Sequence, residues 1–89
     1  MTREKAFEEV KKRIKTQNLL KHCLACEAIM KDLACYFEED IEKWGICGLV
    51  HDIDYEKTKD DPKSHSKEGA KILEELGFSS DIVYAVKSH

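Results

Sequence analysis

The scarcity of helix breakers constrains this chain more than any other feature of its sequence. Only one proline and four glycines occur in 89 residues, so long helices can run without interruption. Ala6, Val10 and Ile14 recur at four-residue spacing between charged neighbours, which predicts a first helix over residues 3–16. A second helix is expected over residues 18–37. The pattern favours an all-α fold.

Capping residues mark the ends of the later helices. The acidic residues 38–40 can cap a third helix, whose apolar stretch 46–50 should be deeply buried. Residues 52–62 form the one long loop, and its end at Asp61 and Pro62 predicts the start of a fourth helix, which Gly77 stops. Residues 79–81 can cap a fifth helix.

The length of the chain leaves room for one small domain. We therefore predict a compact bundle of about five helices over residues 1–89, with an N-terminal helix in 1–17 and a helical core in 18–89. The last helix is still in phase at His89, without a stop signal, so we expect a domain that lacks further C-terminal helices. Uncovered apolar faces in such a domain would favour self-association or marginal stability.

Charge and hydropathy exclude two classes of partner. Eighteen acidic residues stand against 15 basic ones, which argues against a surface that binds a nucleic-acid duplex. No apolar run approaches the ~20 residues that a membrane span needs. The first residues are charged and amphipathic, unlike a secretion signal. We expect a cytoplasmic protein that binds no membrane.

The four cysteines are Cys23, Cys26, Cys35 and Cys47. In a reducing compartment they should be free thiols, and their places on apolar helices predict that they are buried. The spacing of Cys23 and Cys26 also suits zinc or redox chemistry, but a zinc ribbon needs two such pairs. Free thiols are the preferred interpretation.

The four histidines are the most informative polar residues. Positions three, four or seven residues apart share one face of a helix, and each of His22, His51, His65 and His89 shares its face with apolar residues. A single histidine on such a face is usually a core residue with hydrogen-bonded ring nitrogens. Four imidazoles pointing into one small core need a common partner, because each unpaired buried polar group costs roughly 1–3 kcal/mol. A metal ion is the simplest such partner.

Asp52 strengthens the metal hypothesis. It follows His51 at the end of the buried third helix, so a carboxylate and an imidazole arrive from one helix end. With His22 they make three protein ligands and leave positions open for water and substrate, as in catalytic metal sites. His65 and His89 could support these ligands or hold a second metal.

Four segments of the sequence together resemble a known superfamily. They are residues 20–22, 47–55, 65–70 and 87–89, which carry the order His22, His51–Asp52, His65 and His89. This order, with its flanking residues, resembles the HD-domain superfamily of metal-dependent phosphohydrolases, and the HDIG subgroup most closely. The resemblance covers residues 19–89. One departure is Asp54, where the subgroup has glycine, so a residue with a side chain must make the turn.

The resemblance implies how these residues would be used. His22, His51 and Asp52 would bind a divalent metal together with an aspartate from a later helix, which residues 1–89 do not contain. In binuclear members of the superfamily, histidines matching His65 and His89 bind a second metal, and the residue matching Asp52 bridges both. In mononuclear members such positions can bind the phosphate of the substrate instead.

The expected reaction is the hydrolysis of a small phosphomonoester or phosphodiester, nucleotides included, by a water whose pKa the metal lowers. Asp52 is the residue expected to be catalytic. Lys57, Lys59 and Lys63 lie before His65 and are candidate contacts to the phosphate, although each also fits a solvated surface. The ligand set favours manganese, iron, cobalt, nickel or zinc over calcium, and magnesium could serve during turnover.

Two other functions remain open at this point. Some relatives with this ligand set hold two irons and activate dioxygen, which redox-active iron would reveal. A regulatory helical module, with or without metal and without turnover, is the second alternative. The absent aspartate favours the regulatory module, whereas the five ligand-type residues argue against it.

Overall fold

The computed structural model describes residues 2–89 as helices joined by short turns, with no β-strand among them. The helices are α1 Arg3–Arg13, α2 Gln17–Tyr36, α3 Ile41–Val50, the single turn α4 Tyr55–Thr58, α5 Lys67–Glu75 and α6 Ser80–Ser88, with a 3₁₀ turn at Pro62–Ser64 between α4 and α5. Five of the α-helices have nine residues or more. The predicted all-α bundle is confirmed.

The first helix is shorter than its periodicity predicts. It ends at Arg13 rather than near residue 16, because Ile14 is extended, with φ −115° and ψ 110°. The backbone N–H groups of Lys15 and Thr16 donate to the Glu56 carboxylate at 2.7 and 2.9 Å. A distant acidic side chain therefore holds this turn, and helical spacing alone could not have predicted that.

The predicted start of the fourth helix is also wrong. Asp61 and Pro62 begin only the 3₁₀ turn, and α5 starts five residues after the proline at Lys67. The chain reaches α5 through Ser66, whose φ of 75° interrupts the helix. The backbone N–H of Ser66 donates to the buried carboxylate of Asp54 at 2.8 Å. The loop is thus ordered by a side chain near its own beginning.

The C-terminal half of α3 lies at the centre of the core, as its apolar run predicts. Leu49 and Val50 are fully buried there, and α1 packs Val10 against the same core. Helix α2 approaches α3 so closely that a Cβ on Gly48 would lie 2.6 Å from the carbonyl oxygen of Cys26. Only glycine fits at this contact. It brings α2 against the helix end that carries His51.

The outer side of α2 is apolar and exposed. Ile29 and Leu33 share a helical face with His22 but are 57% and 41% exposed, so the prediction that this whole face is buried is wrong. Tyr36, near the end of the same helix, is 82% exposed. Self-association through such residues stays a prediction.

None of the helices within residues 2–89 combines the length and the apolar character that a membrane crossing requires.

Candidate metal centre

Four imidazoles surround the carboxylate of Asp52. Its Oδ2 lies 3.3 Å from His22 Nε2 and 3.2 Å from His51 Nε2, which we call the Oδ2 half of the site. Its Oδ1 lies 3.2 Å from His65 Nε2 and 3.4 Å from His89 Nε2, which we call the Oδ1 half. The structure therefore brings together all five ligand-type residues named from the sequence.

Different elements position the five side chains. His22 lies in the first turns of α2, and His51 and Asp52 follow the last residue of α3. His65 follows the 3₁₀ turn and His89 follows α6. Because the sequence distance between them reaches 67 positions, only the packing of the bundle can assemble this site.

Hydrogen bonds fix the orientation of three of the four rings. The Nδ1 atoms of His51 and His89 lie 2.7 and 2.5 Å from the carbonyl oxygens of Gly48 and Val86. The Nδ1 of His65 lies 2.7 Å from Asp54 Oδ1. These oxygens can only accept, so each Nδ1 carries the proton and each Nε2 faces Asp52. Metal-binding histidines are usually held in this way.

The nitrogen–oxygen distances at Asp52 are longer than those of strong hydrogen bonds, and they also match the spacing of two ligands on one metal ion. A charge-assisted hydrogen bond between nitrogen and a carboxylate oxygen is about 2.7–2.9 Å long, whereas the four N···O distances here are 3.2–3.4 Å. Two atoms bound at about 2.0–2.1 Å to one tetrahedral ion lie about 3.3 Å apart. Imidazole and carboxylate donors at this spacing fit a divalent transition metal on each side of Asp52.

The site is more open than the sequence predicts. The side chain of His22 is 50% exposed, and the other three imidazoles are also partly exposed, so the prediction that all four point into the core is wrong. Water can reach the rings, so their desolvation costs less than it would for fully buried imidazoles. Only the Asp52 side chain, 13% exposed, is largely covered. Four partly exposed imidazoles around a largely covered carboxylate can admit a substrate.

The carboxylate of Asp52 and the imidazole of His51 stabilise each other's charged forms. Burial by itself would raise the pKa of Asp52, but the hydrogen bond and charge of His51, with contributions from His65 and His89, lower it to about 2. The hydrogen bond to Asp52 in turn raises the pKa of His51, against the effect of burial. Asp52 is therefore ionised at neutral pH, which is the form that binds a metal.

Asp54, which the sequence predicts only as a turn residue, also belongs to the site. It is fully buried, and its Oδ2 accepts hydrogen bonds from the backbone N–H groups of Ser66 and Gly69, both at 2.8 Å. Its Oδ1 accepts from His65. One carboxylate therefore holds the start of α5 and orients one ring of the Oδ1 half. The signal in the sequence was an acidic residue at a position where the HDIG subgroup has glycine.

All four cysteines are free, but they are not equally buried. Cys23 is buried, and this burial, with a smaller effect of the Asp52 charge, raises its pKa to about 11. Cys35 is exposed, which contradicts the expectation of four buried thiols. Cys26 is half-buried, with its Sγ 3.6 Å from His22 Nε2.

The three lysines before His65 lie on the surface. Lys57 pairs with Glu68 at 3.0 Å, which neutralises its charge locally. Within residues 2–89, neither Lys59 nor Lys63 forms an ion pair, so both ammonium groups are free to meet an anion. Their contact with a substrate phosphate stays a prediction.

Several curated proteins are similar to this chain. Ribonuclease Y of Mycoplasma genitalium is 36% identical over 73 residues, covering 82% of this chain and 15% of the relative. Ribonuclease Y of Salinispora arenicola is 32% identical, covering 82% of this chain and 12% of the relative. The uncharacterized protein MJ0778 of Methanocaldococcus jannaschii is 33% identical, covering 97% of this chain and 52% of the relative. The chain thus spans no more than about half the length of these relatives.

No solved structure matches this chain. The family model of the HD domain matches residues 19–89, the same part of the chain that carries Asp52 and the four histidines around it. The order of those residues, their convergence in the fold and this match agree with one another. The chain belongs to the HD-domain superfamily of metal-dependent phosphohydrolases.

Proposed function

We propose that this chain hydrolyses phosphomonoesters or phosphodiesters at a two-metal site centred on Asp52. The observation that carries the proposal is the arrangement of this carboxylate, each of whose oxygens faces two imidazole nitrogens at 3.2–3.4 Å. A carboxylate with two such sides suits a bridge between two ions. The pairing supports two metals over one.

Each residue has a specific role in this proposal. When bound, divalent metals polarise the phosphoryl group and lower the pKa of the attacking water. Asp52 would neutralise part of their charge, and its carboxylate lies between the two halves. His22 and His51 would hold an ion on one side, and His65 and His89 would hold one on the other. The bonds from Nδ1 to protein oxygens keep three of these rings from turning away.

The proposed substrates are nucleotides and related small phosphoesters. The name of the ribonuclease Y relatives describes enzymes that act on RNA, which favours a phosphodiester over a phosphomonoester as the substrate. This chain spans only 12–15% of those relatives, so their activity is a proposal here and not a property of residues 1–89. The ammonium groups of Lys59 and Lys63 are the proposed contacts to the phosphate. A cytoplasmic location also stays a prediction.

Elemental analysis of the purified chain, combined with a screen against a panel of phosphoesters, tests the proposal. We expect about two transition-metal ions per chain and turnover of at least one phosphoester, abolished by a chelator and restored by Mn²⁺ or Zn²⁺. Bound metal without turnover would support a regulatory module instead. Redox-active iron that consumes dioxygen would support the oxygenase alternative.

A further inference from the structure

A groove between α5 and α6 ends beside the metal centre. Helix α5 begins two residues after His65, and α6 ends one residue before His89. The Nε2 atoms of these two rings lie 3.2 and 3.4 Å from Asp52 Oδ1. The hydroxyl of Ser66, at the start of α5, lies 3.5 Å from His89 Nδ1. One helix therefore leads away from the Oδ1 half and the other returns to it, so the space between them opens next to the site.

The groove has an apolar floor and is open to solvent. Ala70 and Phe78 line it and are each only 6% exposed. Its volume is about 820 Å³, which lies within the range of roughly 300–1,000 Å³ that is usual for small-molecule sites. The groove is therefore large enough to hold part of a substrate that extends beyond the metal centre.

Three lysines line the part of the groove that is nearest to the metal centre. Lys67 and Lys71 lie one turn apart in the first half of α5, and Lys87 lies near the end of α6. All three are exposed, and none of them forms an ion pair within residues 2–89. The acidic lining residues, Glu74 and Glu75, lie at the opposite end of α5. Positive charge is thus concentrated at the end where a phosphate would approach the site.

Tyr84 adds an aromatic ring to the same wall of the groove as Lys87. The two residues are three positions apart on α6, so their side chains leave one face of the helix. Tyr84 is 72% exposed, although much of its ring is apolar. An exposed ring beside a row of cations is the combination that binds single-stranded nucleic acid, because bases stack on the ring and phosphates meet the cations. An acidic peptide would use the lysines but would leave the ring without a base.

We propose that the groove between α5 and α6 binds single-stranded nucleic acid, with the phosphodiester to be cleaved at the metal centre. The inference rests on the proposed function, and it makes the substrate a strand of several nucleotides. RNA is the strand that the proposed function favours. Lys67, Lys71 and Lys87 would contact backbone phosphates, and Tyr84 would stack on one base. A duplex cannot use the ring in this way, because its bases are already stacked on one another.

Binding of RNA to the metal-free chain tests the groove separately from hydrolysis. The probe is a fluorescein-labelled oligouridylate of about eight nucleotides, and its affinity is measured by fluorescence anisotropy between about 50 and 200 mM NaCl. Three phosphate contacts predict that log K falls against log salt with a slope of about −2. Lys87→Gln should reduce this slope by about 0.7, and Tyr84→Ala should weaken binding about fivefold or more.

Two matched control variants lie outside the groove. Lys5→Gln on α1 and Tyr36→Ala on α2 remove an exposed cation and an exposed ring of the same types, and both should bind the probe like wild type. An unlabelled RNA duplex of the same length should compete less well than the unlabelled single strand. Equal competition by the duplex, or wild-type binding by both Tyr84→Ala and Lys87→Gln, would overturn the proposed groove.

The dependence of turnover on substrate length gives a second readout with metal restored. In wild type, kcat/KM should be at least about tenfold higher for the oligouridylate than for a uridine dinucleotide, and Tyr84→Ala should lose most of this gain. Equal rates on the two substrates would overturn the groove and leave the proposed function standing. Binding that depends on Tyr84 and Lys87, without turnover of any phosphoester, would instead support the groove and overturn the proposed function.

Discussion

The two halves of the site are assembled by different physical means. The Oδ2 half depends on two helices that touch at Gly48, where the backbone of α2 meets α3. The Oδ1 half depends on a buried polar network, in which Asp54 holds His65 and the first turn of α5. Close packing brings the two helices of the Oδ2 half together, where only the ring of His51 is held by a hydrogen bond, whereas hydrogen bonds hold both rings of the Oδ1 half.

This difference indicates which half has its metal-binding side chains correctly oriented before a metal binds. Both rings of the Oδ1 half donate from Nδ1 to a protein oxygen. In the Oδ2 half, His22 is 50% exposed, and its nearest polar neighbours are Asp52 and the weakly bonding thiol of Cys26. We therefore expect the ring of His22 to settle only when an ion binds. Substitutions should damage the two halves separately, except at the carboxylate they share.

The largest effect is expected at Asp52, because its removal affects both halves. Asp52→Asn keeps the size of the side chain but removes the charge and one oxygen. Turnover of the best phosphoester should fall by about 1000-fold or more, and metal content should drop below one ion per chain. Steady-state kinetics and elemental analysis measure these changes. Asp60→Asn, at an exposed position in the same loop, is the control.

Asp54→Asn should damage the Oδ1 half selectively. An amide cannot accept from all three donors, so at least one buried N–H group loses its partner, and the free energy of unfolding should fall by about 2–3 kcal/mol. His65 would lose its orienting bond, and metal affinity at this half should fall about 10–100-fold. Urea unfolding and metal titration measure the two effects. An unchanged affinity in the Oδ1 half would show that Asp54 does not position His65.

Gly48→Ala tests the packing that forms the Oδ2 half. The added methyl would lie 2.6 Å from the carbonyl oxygen of Cys26, so α2 must move away and stability should fall by about 2–3 kcal/mol. Gly45→Ala is the matched control in the same helix. Its methyl would meet only the flexible side chain of Lys31, at 2.9 Å, which can move aside. Thermal unfolding should therefore find Gly45→Ala as stable as wild type, or more so.

The smallest effect concerns the ion pair that ties α1 to α2. The Arg3 guanidinium donates to both oxygens of the nearly buried Glu27, at 2.8 and 2.9 Å, and this contact lowers the pKa of Glu27. Glu27→Gln should cost about 1–2 kcal/mol at neutral pH. Glu8→Gln, on the exposed side of α1, is the control.

The pH dependence of the same pair follows from the direction of the pKa shift. The folded pKa lies below the unfolded value, so the stabilisation is complete above the unfolded pKa of about 4.3 and is lost as the pH falls through the folded pKa. The stability difference between wild type and Glu27→Gln should therefore shrink below about pH 4. A difference that stays constant in acid would contradict the ionised pair.

The sequence predicted the helices well where one periodic pattern and one cap define them. Asp40 caps α3 through the N–H of Lys43, and Gly77 adopts the expected left-handed conformation, with φ 86°. Prediction failed where a distant side chain decides the local structure. Glu56 ends α1 early, and Asp54 delays the start of α5. Neither long-range contact leaves a periodic trace in the sequence.

Prediction of the metal centre from the sequence has the same limit, because sequence patterns do not show contacts between distant side chains. Shared helical faces and the family resemblance pointed to Asp52 and the four histidines around it, because ligand type and order are visible in the sequence. Exposure was misjudged at His22, since a helical face shows which residues lie together but not whether another element covers them. Cys26 was weighed with Cys23 as a pair at CxxC spacing, although its true neighbour is His22, one turn earlier on α2. Side-chain distances were needed to find that contact.

Anomalous X-ray diffraction from crystals of the chain soaked in Zn²⁺ tests the central claim most directly. We predict two peaks, one within coordination distance of Asp52 Oδ2 and the Nε2 atoms of His22 and His51, the other near Oδ1 and the Nε2 atoms of His65 and His89. A single peak, or peaks that lie away from Asp52, would contradict a two-metal site bridged by this carboxylate.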